Sequence, residues 1–377
     1  MAGSGNHERD AGSPVSPATA EGAVVESVEA RLGRTRSSLD SGLQTSPKCV
    51  CCQAKHPLSN SIPSSMKMQH HFDRRTILRA AVGGVGAFYL PHAAVVSQPS
   101  ASATLEIKSL GDALSVVGGA GCNVVVAKDP AGGATMVDGG LKEHSAELLS
   151  LVRSELSVSR IDTLFNSCWH PDRTGANEAL GAAGTRIMAH ENTRLWLGRD
   201  VTRPWDNRTI KRLPPEAWPN ATFYEPGTVE ASGREVRYGY LLQAHTDGDI
   251  YVHFPTENVL VTGAAISAST WPLLDWWTGG WIGGLVDAFD VLLEVADENT
   301  RVVPGNGGLL TRADLVEQRQ MYVTIFDRLA KLFFAGLEPE DMLAAEPTRE
   351  FDDRLGDSEL FLRLAFRGFG LHFGPDA

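Results

Sequence analysis

Positive charge is the first thing this 377-residue sequence lacks: 34 Lys and Arg stand against 46 Asp and Glu, a formal net charge of −12. Phosphate backbones are bound by clustered cations, so a nucleic-acid partner is not expected. No stretch reaches the roughly 20 consecutive apolar residues that a membrane span requires. Cysteine is scarce, with five in all. Three of them, Cys49, Cys51 and Cys52, crowd together near the N-terminus without a His or Cys partner at the spacing of a zinc module. Strands and helices alternate further on, but the Gly fingerprint of a dinucleotide-binding turn is missing, so a Rossmann reading is unsupported.

What is present is ordinary globular material, 42% apolar and 21% charged. That suits one domain of about 200 to 250 residues with a core that stands without disulfides. Residues 1–65 are different. Their Gly, Ser, Pro and charge bury too little apolar surface to offset ordering entropy, so they are expected to be disordered. Residues 66–103 begin MKMQHHFDRRTILRAAVGGVG, with Arg74 and Arg75 ahead of a weakly apolar Gly- and Ala-rich run and small residues at its end. Gly83, Gly84, Gly86 and a Pro would break a folded-domain helix there. The stretch resembles a twin-arginine export signal, which implies recognition by the twin-arginine translocation machinery and a bacterial periplasmic destination. Such signals sit at a true N-terminus, so translation is expected to begin at Met66 or Met68, leaving 1–65 as an artefact. An ordinary amphipathic segment is the alternative.

From residue 104 the texture changes. ALSVVGG, CNVVVAKD and TMVDGG read as strands joined by tight turns. EHSAELLSLVRSEL carries helical spacing. IDTLFNS is a strand that opens into CWHPDRTGAN, residues 168–177, and a helix is expected across TGANEALGAAG. REVRYGYLLQ, IYVHF, NVLVTG and TRVVPG read as later strands.

The order of CWHPDR, AHTDGDIYVHF, NVLVTGA and VVPGNG resembles that of the metallo-beta-lactamase fold family, whose motifs run from an H-x-H-x-D-H loop to a terminal PGHG. The resemblance covers nearly all of residues 104–320, and the helical tail 321–377 looks like an extension some family members carry. It implies an α/β fold, a four-layer αβ/βα sandwich of two mixed sheets flanked by helices, with a C-terminal helical extension. It also implies a metal-dependent hydrolase acting on a small-molecule substrate.

In that family one or two zinc ions are held by two His, an Asp and a further His in the first loop, a later His, a bridging Asp and a last His. The matching residues here are Cys168, His170, Asp172, Arg173, His245, Ala264 and Asn306, and four of the seven have changed. Cys168, His170 and His245 would still make a three-ligand set for a single zinc with a fourth corner for water. Asp172 would be general base, water orienter or fourth ligand. The second ion has lost its ligands. Arg173 would place positive charge there and hold a substrate carboxylate.

Other readings stand beside these. Cys168 has three uses open to it: metal ligand, disulfide partner of Cys122, or inert buried thiol. Asp172 lies just ahead of a helix start, where it would cap free N–H groups with or without a metal. Asp247 and Asp249 are expected to shape a Gly turn, Asn306 a turn, and His190 and His253 to be ordinary. In WPLLDWWTGGWIGGL, Trp276 and Trp277 are expected to wall a hydrophobic substrate pocket, with packing on the following helix as the alternative. Two functions follow: an exported single-zinc hydrolase of ester, thioester or amide-type bonds, or a catalytically inactive binding or scaffold protein on the same fold.

Overall fold

A computed structural model of the chain describes residues 104–373. The expected disordered segment, the export signal and the Cys49 to Cys52 cluster lie outside the described residues.

Fourteen strands appear among the described residues. Seven form one sheet in the order β1 (Glu106–Ser109), β2 (Leu114–Gly118), β3 (Val124–Lys128), β4 (Gly133–Val137), β5 (Arg160–Phe165), β6 (Arg186–His190) and β9 (Ala221–Phe223). A short hairpin, β7 (Val201–Thr202) with β8 (Thr209–Ile210), stands apart. The second sheet runs β10 (Gly227–Ala231), β11 (Arg234–Tyr240), β12 (Ile250–Phe254), β13 (Val259–Ser267) and β14 (Arg301–Asn306). Both sheets are mixed: β4, β5, β6 and β9 run parallel in the first, and β13 and β14 in the second.

The alternation of side chains along each strand explains the layering. Val125 and Ala127 face the second sheet, where Val252, Val261 and Val303 meet them. Val124 and Val126 point the other way, onto Leu148 and Val152 of α1 (Ser145–Glu155). In the second sheet Leu260 and Val302 face outward against α5 (Ile282–Val295) and α6 (Arg312–Phe334). Each fully buried Val or Leu contributes about 1.5–3 kcal/mol of transfer free energy, so a strand buried on both faces reads as a continuous apolar run. The expected four-layer sandwich is the observed one.

Three short helices border the loops of the first sheet: α2 (Pro171–Thr174), α3 (Asn177–Ala182) and α4 (Glu191–Leu197). Three more, α7 (Pro339–Ala344), α8 (Arg349–Leu355) and α9 (Glu359–Phe373), form the C-terminal region with the end of α6. Helix α6 runs unbroken through residue 320, where the sequence suggested a boundary. Its start is fixed by a reciprocal cap between Thr311 and Asp314.

Candidate metal centre

Strand β5 ends at Phe165, and the chain then turns sharply to deliver Cys168 and His170. Two buried contacts hold that turn. The Asp138 carboxylate accepts from the Ser167 backbone N–H (2.8 Å) and hydroxyl (2.7 Å). The Ile250 N–H donates to the Ser167 carbonyl (2.9 Å), joining the loop to the second sheet. Gly263 makes room for Ser167: a Cβ there would lie 2.3 Å from the Ser167 Cβ, and its φ of +57° is one that L side chains rarely adopt.

The side chains of Cys168, His170 and His245 converge, with one ligand atom from each lying within 4.8 Å of the others, and all three are buried. The two imidazoles stand edge to face, centroids 4.5 Å apart. Each ring has one nitrogen already engaged by a carboxylate. His170 Nε2 lies 2.9 Å from Asp275 Oδ2, and His245 Nδ1 lies 3.2 Å from Asp249 Oδ1. An ionised carboxylate only accepts, so the contacted nitrogens carry the protons, and in the neutral form of each ring the lone pair is on His170 Nδ1 and on His245 Nε2. This is the outer arrangement that orients zinc-ligating histidines.

The electrostatics agree with that assignment. Burial, followed by the neighbouring His245, lowers the His170 pKa, which keeps the ring neutral. Burial would raise the Asp275 carboxyl, but the hydrogen bond from His170 holds it below the usual carboxylate range. Burial pushes the Cys168 thiol well up, and the Asp249 charge adds to this. Without a cation the sulfur is therefore a thiol, and ligation would release its proton. A sulfur, two imidazoles and two fixing carboxylates suit zinc in donor type and in number.

Several expectations need correction. Asp172 does not cap the expected helix, which is observed as α3 with Ala176 at its N-cap. His170 occupies the N-cap of α2, and Asp172 sits in its first turn with no capping hydrogen bond. Nor is Asp172 part of the converging ligand set; its carboxylate lies 3.1 Å from Arg173 Nε, with about a third of its side chain exposed. Arg173, expected to reach a substrate, is 1% exposed. Its guanidinium donates to the Gly305 carbonyl (3.1 Å) and lies 3.6 Å from Asp138. The cation thus stands beside the residue preceding Asn306, as a buried strut rather than a binding group. Cys122 lies before β3 rather than opening it, and both Cys122 and Cys168 are free thiols, so no disulfide removes the sulfur. Burial pushes the Cys122 thiol up to about 12.

The tryptophan segment divides its labour. Trp277 is half exposed, whereas Trp276 is partly buried against the outer core. Trp276 and Trp277 pack edge to face, 5.7 Å between centroids. His190 caps α4 by accepting from the Asn192 N–H (3.2 Å) and stacks on Tyr240, 4.0 Å away. His253 is buried on β12.

Sequence reasoning missed Asp275 and Asp138, and half the role of Asp249. Asp275 was hidden among the tryptophans around it. Asp138 carried no motif of its own. Burial pushes its carboxyl up to about 6 against the opposing Arg173 charge. Asp249 does shape the turn, accepting from the N–H groups of His245 (2.5 Å) and Thr246 (2.7 Å), and it also fixes the His245 ring.

The model of the metallo-beta-lactamase superfamily matches residues 117–332. The chain belongs to that superfamily. No curated protein matches it. Among solved structures it resembles a metallo-beta-lactamase from Pontibacter korlensis at 18% identity, covering 58% of this chain and 99% of that one with a TM-score of 0.47. It resembles the stereoselective inverting sec-alkylsulfatase Pisa1 from Pseudomonas sp. at 16% identity, covering 72% of this chain and 51% of that one with a TM-score of 0.54. The chain therefore spans about half the sulfatase's length, and the likeness is one of fold.

Proposed function

We propose that this protein is a hydrolase that holds a single zinc ion on Cys168, His170 and His245 and cleaves an ester, thioester or amide-type bond in a small molecule. The observation that carries the proposal is the convergence of three ligand atoms within 4.8 Å, with a carboxylate on one nitrogen of each imidazole. Asp249 and Asp275 serve their own turns as well, yet a scaffold does not require a thiol and two imidazoles gathered at one point. That favours the enzyme over the scaffold reading.

A zinc ion bound there would supply Lewis acidity and acidify a water in its open corner. The chain's own residues supply the rest. Asp249 and Asp275 fix the orientation of both imidazoles, which spares the site reorganisation. The part-exposed Asp172 carboxylate, on the turn directly after His170, orients the attacking water or accepts its proton. Arg173 occupies the ground of a second ion and neutralises Asp138 and Asp172. Trp277 offers an apolar face to the substrate. Residues 66–103 support export of the folded protein to a periplasm.

Elemental analysis of protein purified without chelators tests this reading. The expected content is about one zinc per chain in the parent, from one three-ligand set, and almost none in His170→Ala. Both proteins staying metal-free after zinc incubation would overturn it. A panel of chromogenic esters, thioesters and amides then identifies the bond cleaved.

A further inference from the structure

The superfamily match ends at residue 332, yet α9 (Glu359–Phe373), well beyond it, packs on the segment that carries Asp275. That segment has an indole at each end. Trp271 stacks on Phe361 (centroids 4.8 Å, 22° between planes), and its Nε1–H donates to the Gly356 carbonyl (2.9 Å). Trp281 stacks on His372 (3.9 Å, 12°), with Phe373 at 5.9 Å. The fit is close enough that a Cβ on Gly368 would lie 3.0 Å from the Trp281 Cβ.

Between the two indoles the chain is bound to both imidazole ligands. The Asp275 N–H donates to the His245 carbonyl (3.0 Å), and the Asp275 carboxylate holds His170. The Thr278 N–H donates to Asp275 Oδ1 (3.1 Å), and the Gly280 N–H to the Asp275 carbonyl (2.8 Å). Apart from one short 3-10 turn at Trp276–Thr278, no regular secondary structure stiffens the segment up to Trp281. Backbone bonds tie it to the 243–247 loop, the Asp247 N–H donating to the Thr278 carbonyl (2.7 Å) and the Trp281 N–H to the Gln243 and Ala244 carbonyls (3.2 Å each), and the two indoles fix its ends.

We propose that Trp271 and Trp281 are positioning residues of the metal centre: the C-terminal helical region clamps both indoles, and the segment stretched between them holds the Asp275 carboxylate on His170. The tail is thus a working part of the site rather than an appendage. The proposal rests on the single-ion reading only for its zinc measurement.

The test uses the full chain with Trp281→Ala, the conservative Trp281→Phe, and His372→Ala, which strips the stacking partner from an exposed position. Each is made with and without Asp275→Asn. Zinc affinity is read by competition with a chromophoric chelator, and nitrogen NMR reads the His170 tautomer in metal-free protein. Trp281→Ala is expected to weaken zinc binding about 10-fold, the low end for loss of a ligand-orienting partner. His372→Ala is expected to act in the same direction, and Trp281→Phe to restore most of the affinity. In the Asp275→Asn background Trp281→Ala is expected to add nothing, because its effect passes through that carboxylate. The Nε2–H tautomer of His170 is expected to dominate in the parent and to give way to a mixture in Trp281→Ala. Additive losses, or an unchanged tautomer, overturn the clamp. A parent that binds no zinc removes the single-ion reading, and the tautomer measurement still decides the clamp.

Discussion

His170 Nε2 and Asp275 Oδ2 lie 2.9 Å apart although the residues are 105 positions apart in sequence, and both are buried. This contact selects the tautomer that leaves Nδ1 free. Asp275→Asn keeps the shape but replaces a carboxylate with a neutral amide that tolerates either tautomer. Zinc affinity is expected to fall by about 10- to 100-fold with the circular dichroism spectrum unchanged, as measured by chelator competition. Undiminished affinity would show that the ring is oriented by packing alone.

Arg173 and Asp138 form a buried pair at 3.6 Å, and removing one member leaves the other's charge uncompensated. Arg173→Ala is expected to cost about 3–5 kcal/mol in urea unfolding. Asp138→Asn isolates the pH dependence. The folded carboxyl is raised to about 6, above its ordinary value of 3.8, so the native state binds more protons than the unfolded one between those values. This group's contribution to stability therefore falls as pH rises from about 4 to 6. The difference in stability between parent and Asp138→Asn is expected to change across that window and to stay flat above it. A flat difference throughout would place the titration elsewhere.

Gly263→Ala puts a methyl group 2.3 Å from the Ser167 Cβ at a φ of +57°. The backbone term alone costs about 1–3 kcal/mol, and Ser167 must also shift, carrying Cys168 with it. A lower thermal midpoint together with weaker zinc binding is expected. Loss of stability with zinc affinity intact would separate this glycine from the site.

The thiols give a simple check. For a chain beginning at residue 104, both Cys122 and Cys168 are expected to react in denaturant without reductant, and neither to react while folded, since both are buried and protonated. A chain with no reactive thiol after denaturation would mean that the sulfur of Cys168 is already bonded and unavailable to a metal.

The layers were legible because period-2 alternation and near-continuous apolar runs are local properties. IYVHF is strand β12 residue for residue, and the ordered motifs placed Cys168, His170 and His245 in one site before any distance was known. The helix expected across residues 174–184 is α3, but Pro171 opens an additional short helix, α2, ahead of it. Asp172 was thereby displaced from the cap it had been expected to fill.

Residue types and their order along the chain determined that a sulfur and two imidazoles, from Cys168, His170 and His245, were available as ligands. Only the tertiary structure decided that Arg173 is a buried strut, that Cys168 keeps a free sulfur, and that Asp275 and Asp249 fix the two rings. Each of these depends on the desolvation of charged and polar groups brought together from distant parts of the chain. Burial sets which of those groups must be paired, and no local pattern in the sequence records it.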